Sequence, residues 1–166
     1  MEEEVILVDQ TDQVIGSMEK LEAHEKGILH RAFSVFIFNS KNELLMQQRA
    51  LTKYHSAGLW TNSCCSHPRP GELILDAANR RMLEEMGMRV ELTHKTSFIY
   101  KAVFDNGLTE HELDHIFIGH SDLQPQINPE EVNASAWESL STIKDSITQK
   151  PEQYTAWFKL ALEKFF

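Results

Sequence analysis

The sequence predicts a mixed-sheet α/β (α+β) sandwich, a β-sheet flanked by helices with an additional hairpin at the N-terminal end. Three observations carry this. Two strand-like runs, "EVILVDQTDQVIGSMEK" and "RAFSVFIFNSKNELLMQQRA", each fold back around a polar turn. A sharply bounded helix, "GELILDAANRRMLEEMGM", follows them. Further strands and an amphipathic terminal helix complete the chain. With 166 residues, 42% of them hydrophobic, the chain can bury a core without disulfides. No repeat or linker interrupts it, so one domain is expected over 1–166.

In the first hairpin an apolar run reaches a turn at Thr11 to Gln13, and a second strand returns. "LEAHEKGILHRAF" is then a loop entering a strand so apolar that burial on both faces is expected. "NSKNE" turns that strand into the next. "LWTNSCCSH" is extended. The helix opens after Pro70-Gly71 and stops at Gly87, with Leu75, Ala78, Met82 and Met86 as its apolar stripe. Strands cover "RVELTHKTSFIYKAVF" and "ELDHIFIGH", joined near Asn106-Gly107. A short helix or turn follows Asn128-Pro129, and "ASAWESL" is the last strand. "PEQYTAWFKLALEKFF" is an amphipathic helix with Tyr154, Trp157, Phe158, Ala161, Leu162 and Phe165 on its apolar side.

The net charge of −9 argues against a broad nucleic-acid footprint. It leaves room for a small anion held by a few local cations. No apolar run approaches the ~18 residues that span a bilayer. "MEEEVILVDQ" has neither the basic start and apolar core of a secretory leader nor the arginine-rich look of a transit peptide. A soluble cytoplasmic protein is expected, monomeric, with a dimer as the alternative. The two cysteines are adjacent, and a bridge between neighbours is strained, so both are expected as free thiols.

Both cysteines lie in "TNSCCSHP". In an extended chain Ser63, Cys65 and His67 share one face, while Cys64 and Ser66 share the other. Cys65 then lines whatever His67 lines, and Cys64 packs. On this stretch alone, two buried small thiols are the better reading. His24 and His30 are loosely spaced, and surface histidine is their ordinary fate. In "LTEHELDH" the alternation puts Glu110 and Glu112 on one face and His111 on the other. Two such carboxylates repel unless a metal, a proton or solvent relieves them, and a solvated strand edge is the simpler reading. Taken together, three imidazoles and two carboxylates suit one octahedral manganese, magnesium or zinc site. If Glu112 binds that metal it also comes near Cys65, and a thiol and a carboxylate across a small pocket would form an acid/base pair. On the helix, Arg81 and Glu85, like Arg80 and Glu84, stand four apart. They read as helix salt bridges or as a phosphate and magnesium site, with Lys20, Arg49 and Lys53 as further cations.

In order, "MEKLEAH", "LHRAFS", "QQRAL", "GLWTNSCCSHPRPGE", "RRMLEEMG", "FIYKA" and "TEHELDH" resemble the type I isopentenyl-diphosphate isomerases of the Nudix-fold superfamily. The resemblance runs from about Val5 to Trp157 and implies a Nudix-like mixed sheet. It implies that His24, His30, His67, Glu110 and Glu112 hold a divalent metal (Mn, Mg or Zn). Cys65 and Glu112 would be the acid/base pair, with Tyr100 beside Glu112. Lys20, Arg49, Lys53 and Arg81 would meet a diphosphate, with Glu85 on its magnesium and Trp157 at the hydrocarbon end. The implied reaction interconverts isopentenyl and dimethylallyl diphosphate through a tertiary carbocation, for isoprenoid precursor biosynthesis.

The departures bear on the rival readings. A hydrolytic Nudix box has Gly where Ser66 stands and Glu where Arg81 stands, while Glu72, Arg80, Glu84, Glu85 and Gly87 match it. Replacing a metal-binding carboxylate by a cation argues against a Nudix hydrolase of a nucleoside diphosphate derivative. The loop from His24 to His30 is also one residue shorter than in some relatives, which bears on its path. A non-catalytic metal- or nucleotide-binding module and a cysteine hydrolase are the remaining alternatives.

Overall fold

In the computed structural model, residues 3–166 are described, and among them nine strands and four helices form. β1 (Glu4–Val8) and β2 (Val14–Glu19) make the N-terminal hairpin. α1 (Lys20–Lys26) leads to β3 (His30–Phe38) and β4 (Glu43–Arg49). β5 (Trp60–Thr61) and β6 (Cys64–Ser66) precede α2 (Ile74–Met86). β7 (Thr93–Val103), β8 (Thr109–His120) and β9 (Val132–Ser139) are followed by α3 (Leu140–Gln149) and α4 (Ala156–Phe165). None of the described helices is long and apolar enough to cross a membrane.

β3 organises the sheet. β8 runs parallel along its length, from His30 opposite Glu112 to Phe38 opposite His120. Its other edge meets β1 at His30, β6 at Phe33 to Val35 and β4 at Phe38. Both faces are covered, as its unbroken apolar run requires. Phe33, Val35 and Ile37 pack with Cys64 against Ala78 and Met82 of α2. Phe36 faces the other way, packing with Ile116 against Trp157 and Phe158 of α4. β3, β6 and β8 thereby bring residues distant in sequence to one end of this second face.

Several expectations are corrected. The segment bearing His24 is helical, not a loop: Glu19 caps the amide of Leu21, and Gly27 ends the turn with φ +65°. α2 starts at Ile74 rather than Gly71, and Ala77 replaces Leu75 in its buried stripe, leaving Leu75 exposed. Residues 89–92 are not strand, and β8 begins three residues early. α3 was not anticipated; Ser139 caps it through the amide of Thr142, and Ile143 buries against the α4 side. The terminal helix is shorter, because Pro151–Gln153 form a 3₁₀ turn and Tyr154 bridges to Trp60.

Candidate active site

A cavity of about 120 Å³ opens at that end of the sheet. It is lined by Cys65 and His67 from the β6 strand and its exit, and by Glu110 and Glu112 from β8. Arg81 and Glu85 of α2, Trp157 of α4, and Lys20, Arg49 and Lys53 also reach it. The period-two reading of β8 holds: Glu110 and Glu112 are buried on one face, while His111 points away toward the carbonyl of Gly27. The solvated strand edge is not found, because α1 and the segment bearing Tyr54 and His55 cover this end. The reading of β6 holds for the two cysteines and His67 but not for the serines: Ser66, expected on the reverse face, also lines the cavity, and Ser63, expected beside Cys65, is buried with its hydroxyl on the carbonyl of Leu45. Cys64 is fully buried against α2, and Cys65 faces the cavity.

Three imidazole nitrogens converge on one oxygen of Glu112. His67 Nε2 lies 2.7 Å from Glu112 Oε2, His30 Nε2 3.0 Å and His24 Nε2 3.9 Å. His30 Nδ1 faces the carbonyl of Ile28 at 2.9 Å, a contact that needs a proton on Nδ1 and leaves Nε2 as the nitrogen turned to Glu112. Burial holds His67 down to about 4, against the upward pull of Glu112. His24 Nε2 is buried and has no hydrogen-bond partner among the described residues. Each ring can meet that oxygen as a donor through a proton, or with its lone pair where a cation lies between them. The donor set of His24, His30, His67 and Glu112, with ligand atoms within 4.8 Å of one another, fits a divalent metal. Glu110, expected in the same set, falls in an overlapping group with His24 and His55.

Tyr100 lies where it was expected. Its hydroxyl is 2.5 Å from Glu112 Oε1 and is also hydrogen-bonded to Glu110 Oε1. One phenolic proton serves one carboxylate, so the other contact needs a second proton or a cation. Burial and the neighbouring Glu112 charge push Glu110 well up. Burial alone would raise Glu112 too, but His67, His24 and His30 hold it well down. Burial lifts the Cys65 thiol to about 12, with Arg49 opposing, so it keeps its proton at neutral pH.

The cations divide into paired and free. Arg81 pairs with Glu85 at 2.8 Å and with Glu131 at 3.1 Å, and Lys53 also pairs with Glu131. Lys20 pairs with Glu3 at 2.9 Å. Arg49 stands over the Trp157 ring, 5.2 Å from its centre, and its buried Nε has no partner among the described residues. The Nudix-box carboxylates Glu72 and Glu84 are instead bound by Arg80, at 2.8 and 3.0 Å, and are not among the residues lining the cavity.

Residues missed in the sequence are Tyr54, His55, Asp114 and Glu131. Asp114 continues the Glu110, Glu112 alternation by one more step, and hydrogen-bonds Ser34 at 2.8 Å. Tyr54 hydrogen-bonds His24 Nδ1 at 2.7 Å, and His55 Nε2 lies 3.3 Å from Glu110. Beyond the cation Lys53, nothing in the local pattern marked the 54–58 segment for the site.

The NUDIX domain family matches residues 28–158, and the chain belongs to that family. Solved structures share the fold: DR0079 from Deinococcus radiodurans at a TM-score of 0.81 (18% identity, 99% of this chain and 100% of that one), and a MutT protein from Methanosarcina mazei at 0.69 (19% identity, 82% and 92%). Sequence relatives narrow the class. The chain is 54% identical to the isopentenyl-diphosphate Delta-isomerase of Pectobacterium atrosepticum, over 97% of this chain and 90% of that one. It is 47% identical to isopentenyl-diphosphate Delta-isomerase 2 of Aromatoleum aromaticum, over 99% and 87%. Within the NUDIX family it is a member of the isopentenyl-diphosphate Delta-isomerases.

Proposed function

We propose that the chain interconverts isopentenyl diphosphate and dimethylallyl diphosphate by proton transfer to and from the five-carbon chain, with Cys65 and Glu112 as the acid/base pair. The observation that carries this is that Cys65 and Glu112, from different strands, line one cavity together with the basic residues. Arg49, Lys20, Lys53 and Arg81 would hold the diphosphate, and Glu85 the magnesium that accompanies it. One member of the pair protonates the terminal alkene carbon, giving a tertiary cation. The other removes a proton from the carbon nearer the diphosphate-bearing end. In reverse the roles exchange. Tyr100, hydrogen-bonded to both carboxylates, offers a route by which Glu112 regains or loses its proton. Trp157 would face the cation with an aromatic surface that cannot capture it, and a dry pocket keeps water from doing so. A divalent metal on His24, His30, His67, Glu110 and Glu112 would fix the Glu112 carboxyl and tune its acidity.

The same reading treats 1–166 as one domain, monomeric and cytoplasmic, acting on a small molecule without nucleic-acid or membrane partners. Hydrolysis of a nucleoside diphosphate derivative is less well supported, because Arg80 engages Glu72 and Glu84 outside the cavity. The test is incubation with isopentenyl diphosphate and divalent metal. Dimethylallyl diphosphate is expected; release of phosphate or pyrophosphate without it would favour the hydrolase.

A further inference from the structure

We propose that Gln47 is a positioning residue for the diphosphate's magnesium: its side-chain amide keeps the Glu85 carboxylate in place when Arg81 turns to the phosphates. The proposal rests on the reading of Glu85 and Arg81 given above and extends it to a residue that reading does not use.

Gln47 lies on β4, paired with Thr61 of β5 on one side and Ser135 of β9 on the other, so its backbone is fixed from both edges. It is only 2% exposed and lines the cavity. Its Nε2 stands 2.9 Å from the carbonyl oxygen of Ser63 and 3.0 Å from Glu85 Oε1. A backbone carbonyl and a carboxylate paired with arginine both accept hydrogen bonds. The amide therefore has one orientation, nitrogen toward both, and its two N–H groups are both committed. One reaches α2, and the other reaches the residue that precedes β6.

The two oxygens of Glu85 are served differently. Arg81 donates to Oε2 from Nε at 2.9 Å and from Nη2 at 2.8 Å, while Gln47 donates to Oε1. A guanidinium that turns to phosphate oxygens gives up Oε2, and that oxygen is then open to magnesium. Gln47 has no phosphate to turn to, so its bond to Oε1 persists. Magnesium demands near-ideal octahedral geometry and takes one or two carboxylates together with substrate phosphates. A hydrogen bond that fixes the plane of such a carboxylate is worth about 10- to 100-fold in metal affinity. Because the same amide is anchored on Ser63, it also ties the magnesium carboxylate to the strand that carries Cys65.

The test titrates inorganic pyrophosphate into the full chain by calorimetry, with one equivalent of manganese at the histidine centre, in the presence and absence of magnesium. Magnesium is expected to tighten binding to the wild type. Gln47→Leu, which keeps the bulk and removes the donor, is expected to weaken binding at least about tenfold with magnesium and no more than about twofold without it. Equal affinity in the two chains with magnesium overturns the proposal, and so does an equal loss with and without it, which marks a merely structural residue. In the wild type, the nitrogen-15 resonance of the Gln47 side-chain amide should shift when magnesium joins the pyrophosphate complex. An unmoved resonance overturns the proposal even if the variant fails to fold. A wild type that gains nothing from magnesium refutes the Glu85 reading itself, whereas a gain that Gln47→Leu retains in full refutes the role of Gln47 alone.

Discussion

His67 Nε2 stands 2.7 Å from Glu112 Oε2, joining the exit of β6 to the start of β8 across β3. Glu112 is thereby the oxygen that three imidazoles share. Glu112→Gln keeps the shape and removes the charge. We expect divalent metal affinity to fall at least about 10- to 100-fold, and isomerisation to fall further because the acid/base group is also gone. Metal titration beside a turnover assay checks this; unchanged affinity would contradict the donor set.

Cys64 and Cys65 are neighbours with opposite surroundings, α2 for one and the cavity for the other. Cys65→Ser is expected to lower turnover about 100- to 10,000-fold, the usual worth of a positioned acid or base. Cys64→Ser is expected to leave turnover within a few-fold and to act on stability instead, by about 1–3 kcal/mol if its hydroxyl finds no partner. Equal losses of turnover in the two variants would defeat the assignment.

The Cys65 thiol also sets a pH dependence. Burial raises it from the ordinary value of 9.0 to about 12 in the folded chain. Its contribution to stability is therefore complete below the unfolded thiol's range and is lost as pH rises toward 12. Between about pH 9 and pH 11, metal-free wild type should lose stability more steeply than Cys65→Ser, by up to about 1.4 kcal/mol per pH unit. Urea melts across that range would show it; parallel slopes would contradict the burial of the thiol.

Arg81 neutralises Glu85 and Glu131 at 2.8 and 3.1 Å. Arg81→Ala leaves both acids facing the cavity. The expected result is a rise in KM for isopentenyl diphosphate of about 10- to 100-fold, with a smaller fall in kcat, and a loss of about 1–3 kcal/mol of stability. Steady-state kinetics and thermal melts separate the two effects. A fall in kcat alone would remove Arg81 from diphosphate binding.

Much of the site was legible because strands alternate. That rule separated Cys64 from Cys65 and joined Glu110 to Glu112, and both placements are found in the structure. It did not carry as far as Asp114, although the same period reaches it. Helices bounded by strong punctuation were readable: Gly87 ends α2 with φ +63° as its sequence suggested. α1 was not, since "KLEAHEK" has little apolar surface of its own and is stabilised by its cap and its packing on β8. His55 and Tyr54 were invisible for another reason. Their importance comes from where an irregular segment crosses the sheet, and no local period encodes that. The charge pairs around Arg81 and Lys53 were half legible, because Glu85 is one helical turn away while Glu131 is fifty residues distant.

The central claim is proton exchange at the five-carbon chain through Cys65 and Glu112. Its most direct test is incubation of isopentenyl diphosphate with the metal-loaded chain in deuterated water, followed by NMR of the product. The expected product is dimethylallyl diphosphate carrying deuterium in a methyl group, formed by the wild type and lost in Cys65→Ser. Phosphate or pyrophosphate appearing without any labelled allylic diphosphate would contradict the account.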